Sequence, residues 1–245
     1  MNIKEFYRKF IFYLTVPKCV SCGERLSVNE VALCGDCYSE HKMRKMTRCS
    51  QCGRELPECV CANKYLREHY VKRLIKLFVY RSSLEENKKV PSNELIYHVK
   101  RTDRKDLIAF IASELASAIK NNVTNYSEFL ITNIPRTGKR VAKYGHDHSE
   151  KVAKAVALEL GIEYKATLRS VQKRAQKKLT KREDRFANAK FDYKTTKTLT
   201  KKKIFLLDDI VTTGASMGHA AMLIRGLGAK TIVGVCLGIA YRDEK

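Results

Sequence analysis

The sequence predicts an α/β protein: a parallel sheet flanked by helices, with a small cysteine-rich metal module ahead of it. Three observations carry this. Short unbroken apolar runs, rather than alternating ones, recur beyond the first quarter of the chain, as in strands covered on both faces. Amphipathic helical patterns separate those runs. Eight of the nine cysteines fall between positions 19 and 61. At 245 residues there is room for one medium domain plus a small module.

Residues 1–17 place Ile3, Phe6, Tyr7, Phe10, Ile11 and Leu14 at helical spacing between Lys4, Arg8 and Lys9. They are expected to form an amphipathic helix packed on its own domain. They lack a signal-peptide core and cleavage site, so a cytoplasmic protein is expected. No apolar run approaches the length of a membrane span.

Residues 18–62 form the module. The cysteines read Cys19-x-x-Cys22-Gly, Cys34-x-x-Cys37, Cys49-x-x-Cys52-Gly and Cys59-x-Cys61. Close pairs in a reducing compartment point to metal rather than disulfides. Two tetrahedral four-cysteine zinc sites account for all eight ligands. The expected sets are Cys19, Cys22, Cys34, Cys37 and Cys49, Cys52, Cys59, Cys61. An interleaved cross-brace is the rival pairing, because sequence does not fix connectivity. So short a segment buries little apolar surface, so the two zinc ions are structural and supply its folding free energy.

Residues 63–92 read as a linker and the first elements of the core. Within them 63–76 is basic and amphipathic, and 78–80 is a candidate strand. Residues 93–245 form the main domain. Helices are expected at 93–101, 106–120, 149–160 and 217–227, and strands at 129–134, 162–168, 204–207 and 232–240. His146, Asp147 and His148 make a poor tetrahedral set. A phosphate or base contact, or a helix-capping loop, suits them better.

The net charge is +22, from 48 basic and 26 acidic residues. Eight thiolates on two zinc ions would lower it to roughly +18. That favours polyanionic or phosphorylated partners. Residues 165–203 hold fifteen Lys or Arg against three acids. They suit either a mobile flap over a substrate or a track for a polyanion.

The chemistry concentrates after the run 204–207. Asp208 and Asp209 are followed by Ile210, Val211, Thr212, Thr213, Gly214, Ala215 and Ser216. Ligands of open α/β sheets bind outside the carboxyl ends of strands. A small glycine-containing turn opening a helix suits a phosphate. The two aspartates would repel that phosphate. They suit hydroxyls, or magnesium carried in on a diphosphate.

This stretch resembles the binding motif of type I phosphoribosyltransferases. The resemblance implies that Thr212, Thr213, Gly214, Ala215 and Ser216 hold the 5′-phosphate of phosphoribosyl pyrophosphate. Asp208 and Asp209 are the implied catalytic acids on the ribose hydroxyls, with Mg2+. Residues 135–140 stand where that fold carries its pyrophosphate loop, with Arg136 and Lys139 facing pyrophosphate. A double zinc ribbon ahead of such a core resembles the ComF family (competence protein F). That resemblance implies a role in natural transformation, single-stranded DNA and DNA-uptake proteins as partners, and a transferase whose acceptor is open. Members often carry Arg-Gly-Phe-Asn-Gln where this chain has Tyr144-Gly145-His146-Asp147-His148, a departure on the acceptor side. Purine-salvage relatives commonly have an aspartate at Thr212. Threonine does not titrate near neutrality, so this loop shows no general base. The alternatives are a nucleobase-salvage transferase and a non-catalytic, zinc-stapled nucleic-acid-binding regulator.

Overall fold

The structure is a computed structural model and describes residues 16–80, 89–171, 191–195, 198–200 and 202–240. Residues 1–15 of the expected helix at 1–17, and most of the basic stretch, at 172–190, lie outside the described residues. Four parallel strands form the main sheet: β1 (Val71–Val79), β2 (Phe129–Asn133), β5 (Lys203–Val211) and β6 (Thr231–Ile239). Their order is β1-β6-β5-β2. A separate antiparallel pair joins β3 (Leu168–Ser170) to β4 (Phe191–Tyr193). The helices are α1 (Gly35–Lys45), α2 (Lys64–Glu68), α3 (Pro91–Val99), α4 (Lys105–Asn122), α5 (Gly138–Tyr144), α6 (His148–Leu160) and α7 (Ala215–Gly226). Among the described residues, no helix is long and apolar enough to cross a membrane.

Side chains alternate across each strand, so one strand feeds two cores. Phe205, Leu207, Val233 and Val235 share a cluster with Leu115 of α4 and Val156 of α6. Ile204, Leu206, Ile232 and Cys236 share the other with Met217, Ala220 and Ile224 of α7. The cysteine-rich segment is built into both. Its first half contributes Cys19, Val20, Leu26 and Leu33 to the α4–α6 cluster. Its second half contributes Cys49, Leu56, Cys59 and Ala62 to the α7 cluster.

Three elements differ from the sequence expectation. β1 begins at Val71, well before residue 78. Lysines at 72 and 76 and Arg73 interrupt its apolar run and disguise it, although Lys76 is buried. Residues 162–168 make one parallel bridge, Tyr164 to Ile131, instead of a full strand. Lys139 and Arg140 lie in α5 instead of an open loop.

Candidate functional site

The site is assembled where β5 ends and α7 begins. Gly214 caps α7 with φ 84°, a left-handed conformation that glycine adopts without a Cβ clash. A Cβ there would also lie 2.8 Å from Leu66 Cγ of α2. The Thr213 hydroxyl accepts from the Ala215 N–H at 3.3 Å. The other first-turn N–H groups of α7 have no helical partner, as at any helix start. Arg140, Asp208 and the residues from Ile210 to Met217 line a cavity of about 230 Å³. Gly214→Val is expected to cost about 2–5 kcal/mol, from left-handed strain plus overpacking. Urea unfolding measures it.

The two aspartates part company. Asp208 lines the cavity. Burial, and then the neighbouring Asp209 charge, push its carboxyl well above the ordinary range. Asp209 Oδ2 instead receives Lys100 Nζ at 3.0 Å and His148 Nε2 at 2.5 Å. Burial opposes its charge, but Lys100 and His148 outweigh that and hold the carboxyl well below its usual value. Lys100 is the C-cap of α3, and His148 opens α6. Neither was singled out from sequence as an Asp209 partner. The His148–Asp209 contact joins positions 61 apart, and no local pattern announces it.

Asp147 caps α6, accepting from the N–H groups of Ser149 and Glu150. It also accepts from the Arg136 N–H at 2.7 Å, which fixes the turn after β2. His146 is buried against the Tyr144 carbonyl, 2.8 Å from Nδ1. These three residues therefore cap and brace. The Arg136 guanidinium donates to the Lys100 carbonyl at 2.9 Å and lies 4.6 Å from the centre of the Tyr144 ring. Lys139 is exposed on α5, and it is Arg140 that reaches the cavity wall. The structure thus gathers Asp208 with Thr212 to Ser216, and sets Asp209, Arg136 and Lys139 outside that lining.

The cysteines gather into the two sequential sets rather than a cross-brace: Cys19, Cys22, Cys34, Cys37 and Cys49, Cys52, Cys59, Cys61. Within each set the sulfurs lie within 4.8 Å of one another. Cys22 and Cys34 are 3.6 Å apart, and Cys52 and Cys59 are 3.5 Å apart. Tetrahedral zinc with bonds of about 2.3 Å has sulfur–sulfur edges of about 3.8 Å, so the donor sets fit. Each set starts with the same turn. Gly23 N–H donates to the Cys19 carbonyl at 3.1 Å and Gly53 N–H to the Cys49 carbonyl at 2.8 Å. Burial would raise the Cys19 thiol, but nearby N–H groups, that of Cys22 foremost, bring it down to about 7. His41 is buried against Ser92 Oγ at 2.8 Å and is not part of either set.

No family model matches the chain. Over 232 residues it is 25% identical to "Competence protein ComFC" of Streptococcus pneumoniae, covering 88% of this chain and 96% of that protein. It is 23% identical over 232 residues to "DNA utilization protein YhgH" of Salmonella typhimurium, covering 91% and 98%. The chain is ComF-like over most of its length. Among solved structures, the purine phosphoribosyltransferase from Pyrococcus horikoshii Ot3 is similar over 55% of this chain and 81% of that one, with a TM-score of 0.37 and 18% identity. A hypoxanthine phosphoribosyltransferase from Staphylococcus aureus is similar over 56% and 74%, with a TM-score of 0.35 and 10% identity. The ComF-like chain joins its parallel sheet to two cysteine centres embedded in its own core.

Proposed function

We propose that this ComF-like protein binds phosphoribosyl pyrophosphate with Mg2+ at the β5–α7 turn and acts in the cytoplasm in handling single-stranded DNA during uptake. Zinc is the metal of both cysteine centres, where the four-sulfur donor sets favour it. The observation that carries the reading is the cavity that sets Asp208 beside Thr212 to Ser216 at the start of α7. The N–H groups of that helix start suit the 5′-phosphate, and the Thr212, Thr213 and Ser216 hydroxyls add donors. Asp208 suits the ribose hydroxyls. Asp209, through Lys100 and His148, keeps the end of β5 in place beside it.

Transfer from this donor breaks the bond between C1 of the sugar and pyrophosphate, and positive charge grows on the ribose ring. Mg2+, when bound, neutralises the diphosphate. The Asp208 carboxylate faces the ring, and Arg140 adds positive charge on the cavity wall. Lys139 lies beside Arg140 in α5, and Arg136 braces the turn after β2 through Asp147 and the Lys100 carbonyl. Thr212 supplies no base, so the acceptor's nucleophilic atom would have to attack without giving up a proton to this loop.

The names of the two similar proteins, which concern competence and DNA utilization, support the DNA part. So does a basic patch at the opposite end of the sheet. Lys72, Arg73, Arg225 and Lys230 line a cavity of about 380 Å³ beside the exposed Tyr70, with no carboxylate in the lining. Cations next to an open aromatic ring suit a sugar-phosphate strand with stacked bases.

Titration calorimetry with Mg2+ and phosphoribosyl pyrophosphate tests the first part. Binding is expected in the parent protein and lost in Asp208→Asn. No heat at millimolar ligand would end the assignment. For the second part, Lys72→Glu is expected to weaken single-strand binding and flatten its log K against log salt slope by about 1.

A further inference from the structure

Lys76, in the middle of β1, is 1% exposed. Lysine is almost never fully buried without a partner, because an ammonium removed from water costs several kcal/mol. The ordinary partner is a carboxylate. Among the described residues, Lys76 makes no ion pair with one. Its Nζ lies 2.9 Å from the Cys61 carbonyl, 3.3 Å from the Leu74 carbonyl and 3.4 Å from the Cys59 carbonyl. The remaining contact is Cys59 Sγ at 3.1 Å.

An ammonium has three donors and no acceptor. Carbonyls satisfy donors but do not cancel charge. Of the four contacts, the sulfur alone can carry a full negative charge. Four thiolates around one divalent ion leave a net charge of −2, and Cys49 and Cys59 of that centre are buried. A buried dianion needs a counter-charge as much as a buried lysine does. The geometry places the two 3.1 Å apart.

We propose that Lys76 is the built-in counter-charge of the second cysteine centre, donating an N–H···S bond to metal-bound Cys59 and tying the centre to the main sheet. The proposal rests on the metal reading of Cys49, Cys52, Cys59 and Cys61, and is independent of the sugar-phosphate site. β1 pairs Lys76 with Cys236 of β6, so the anchor point is inside the sheet. Lys76 contacts no sulfur of the first centre in its hydrogen bonds, so that centre serves as an internal control.

The test uses the full chain loaded with zinc. Native mass spectrometry counts the metal, and a chromophoric chelator times its release. The parent protein is expected to hold two equivalents. In Lys76→Met, one equivalent is expected to bind 10–100-fold more weakly, as for other residues that support metal ligands, while the other is unchanged. Lys76→Gln, which keeps N–H donors without the charge, is expected to fall between. Parent-like retention of both equivalents in the two variants overturns the proposal, as does a parent protein holding fewer than two. Should both variants fail to fold, the parent protein loaded with cadmium-113 decides. A coupling across the hydrogen bond between the Lys76 ammonium and one cadmium is expected, and its absence overturns the proposal.

Discussion

Asp208→Asn is expected to raise the stability of the fold at pH 7, while Asp209→Asn, one position on, lowers it. Asp208 is a carboxyl whose burial and whose charged neighbour both penalise ionisation. An amide of the same shape removes that penalty, for a gain on the order of 1 kcal/mol, typical when a strained functional position is relieved. Asp209 is the opposite case. Lys100 and His148 converge on its Oδ2, and the amide leaves Lys100 unpaired. Breaking a buried pair costs about 3–5 kcal/mol, and partial exposure of these side chains puts the loss near 2–3 kcal/mol. The pH dependence separates them further. The Asp209 carboxyl is depressed on folding, so its contribution is present above about pH 4 and vanishes as pH falls through the folded-state value. The Asp208 carboxyl is raised, so its penalty is absent in acid and grows as pH climbs from about 4 towards the folded-state value. Urea unfolding of the parent and both variants at pH 7, pH 5 and pH 3 reads both effects. Shifts of the same sign would mean that the two carboxyls share one environment.

Cys52→Ala is expected to cost at least about 3 kcal/mol and to loosen a turn far from it in sequence. The estimate is a fraction of the roughly 10–16 kcal/mol with which structural zinc is held. Cys52 is exposed, so its removal leaves no cavity in the core. What is lost is the fourth sulfur. Cys49 and Cys59 of the same centre are buried in the cluster that includes Leu66 and Met217 of α7. Two residues beyond Cys61, the Asn63 side chain caps α2 and donates to the Thr213 carbonyl at 3.4 Å. Leu66 then presses on Gly214, and Tyr65 on Gly218. The amides of 212–217 are therefore expected to exchange at least about tenfold faster in Cys52→Ala, which is about 1.4 kcal/mol of local opening. Cys22 is equally exposed, but its centre packs on the α4–α6 side. Compared at equal global stability, Cys22→Ala should leave exchange at 212–217 near the parent rate. Equal loosening in both variants would detach the turn from the second centre.

The elements most legible from sequence were those whose signal is local. The run before Asp208 and the glycine turn after it carry strand, turn and helix start within one short stretch. The cysteine spacings carry both donor sets, because knuckle and partner pair lie close in sequence. Illegible parts depend on distant contacts. β1 was hidden because Lys76 looks like a surface residue until Cys59 is placed over it. The split between Asp208 and Asp209 was hidden because its cause sits on α3 and α6. The brace made by Arg136 depends on a carbonyl at Lys100, which no motif encodes.

The distribution of the cysteine-rich segment over two cores has a consequence for biosynthesis. β1 pairs along its length with β6, the last strand among the described residues. The thiols at 19–61 thus leave the ribosome well before β6, which completes the sheet that shelters them. At about 5–20 residues per second, that interval is on the order of ten seconds. During it the nascent thiols face solvent, so the supply of free metal and reductant at translation governs the yield of correctly assembled protein.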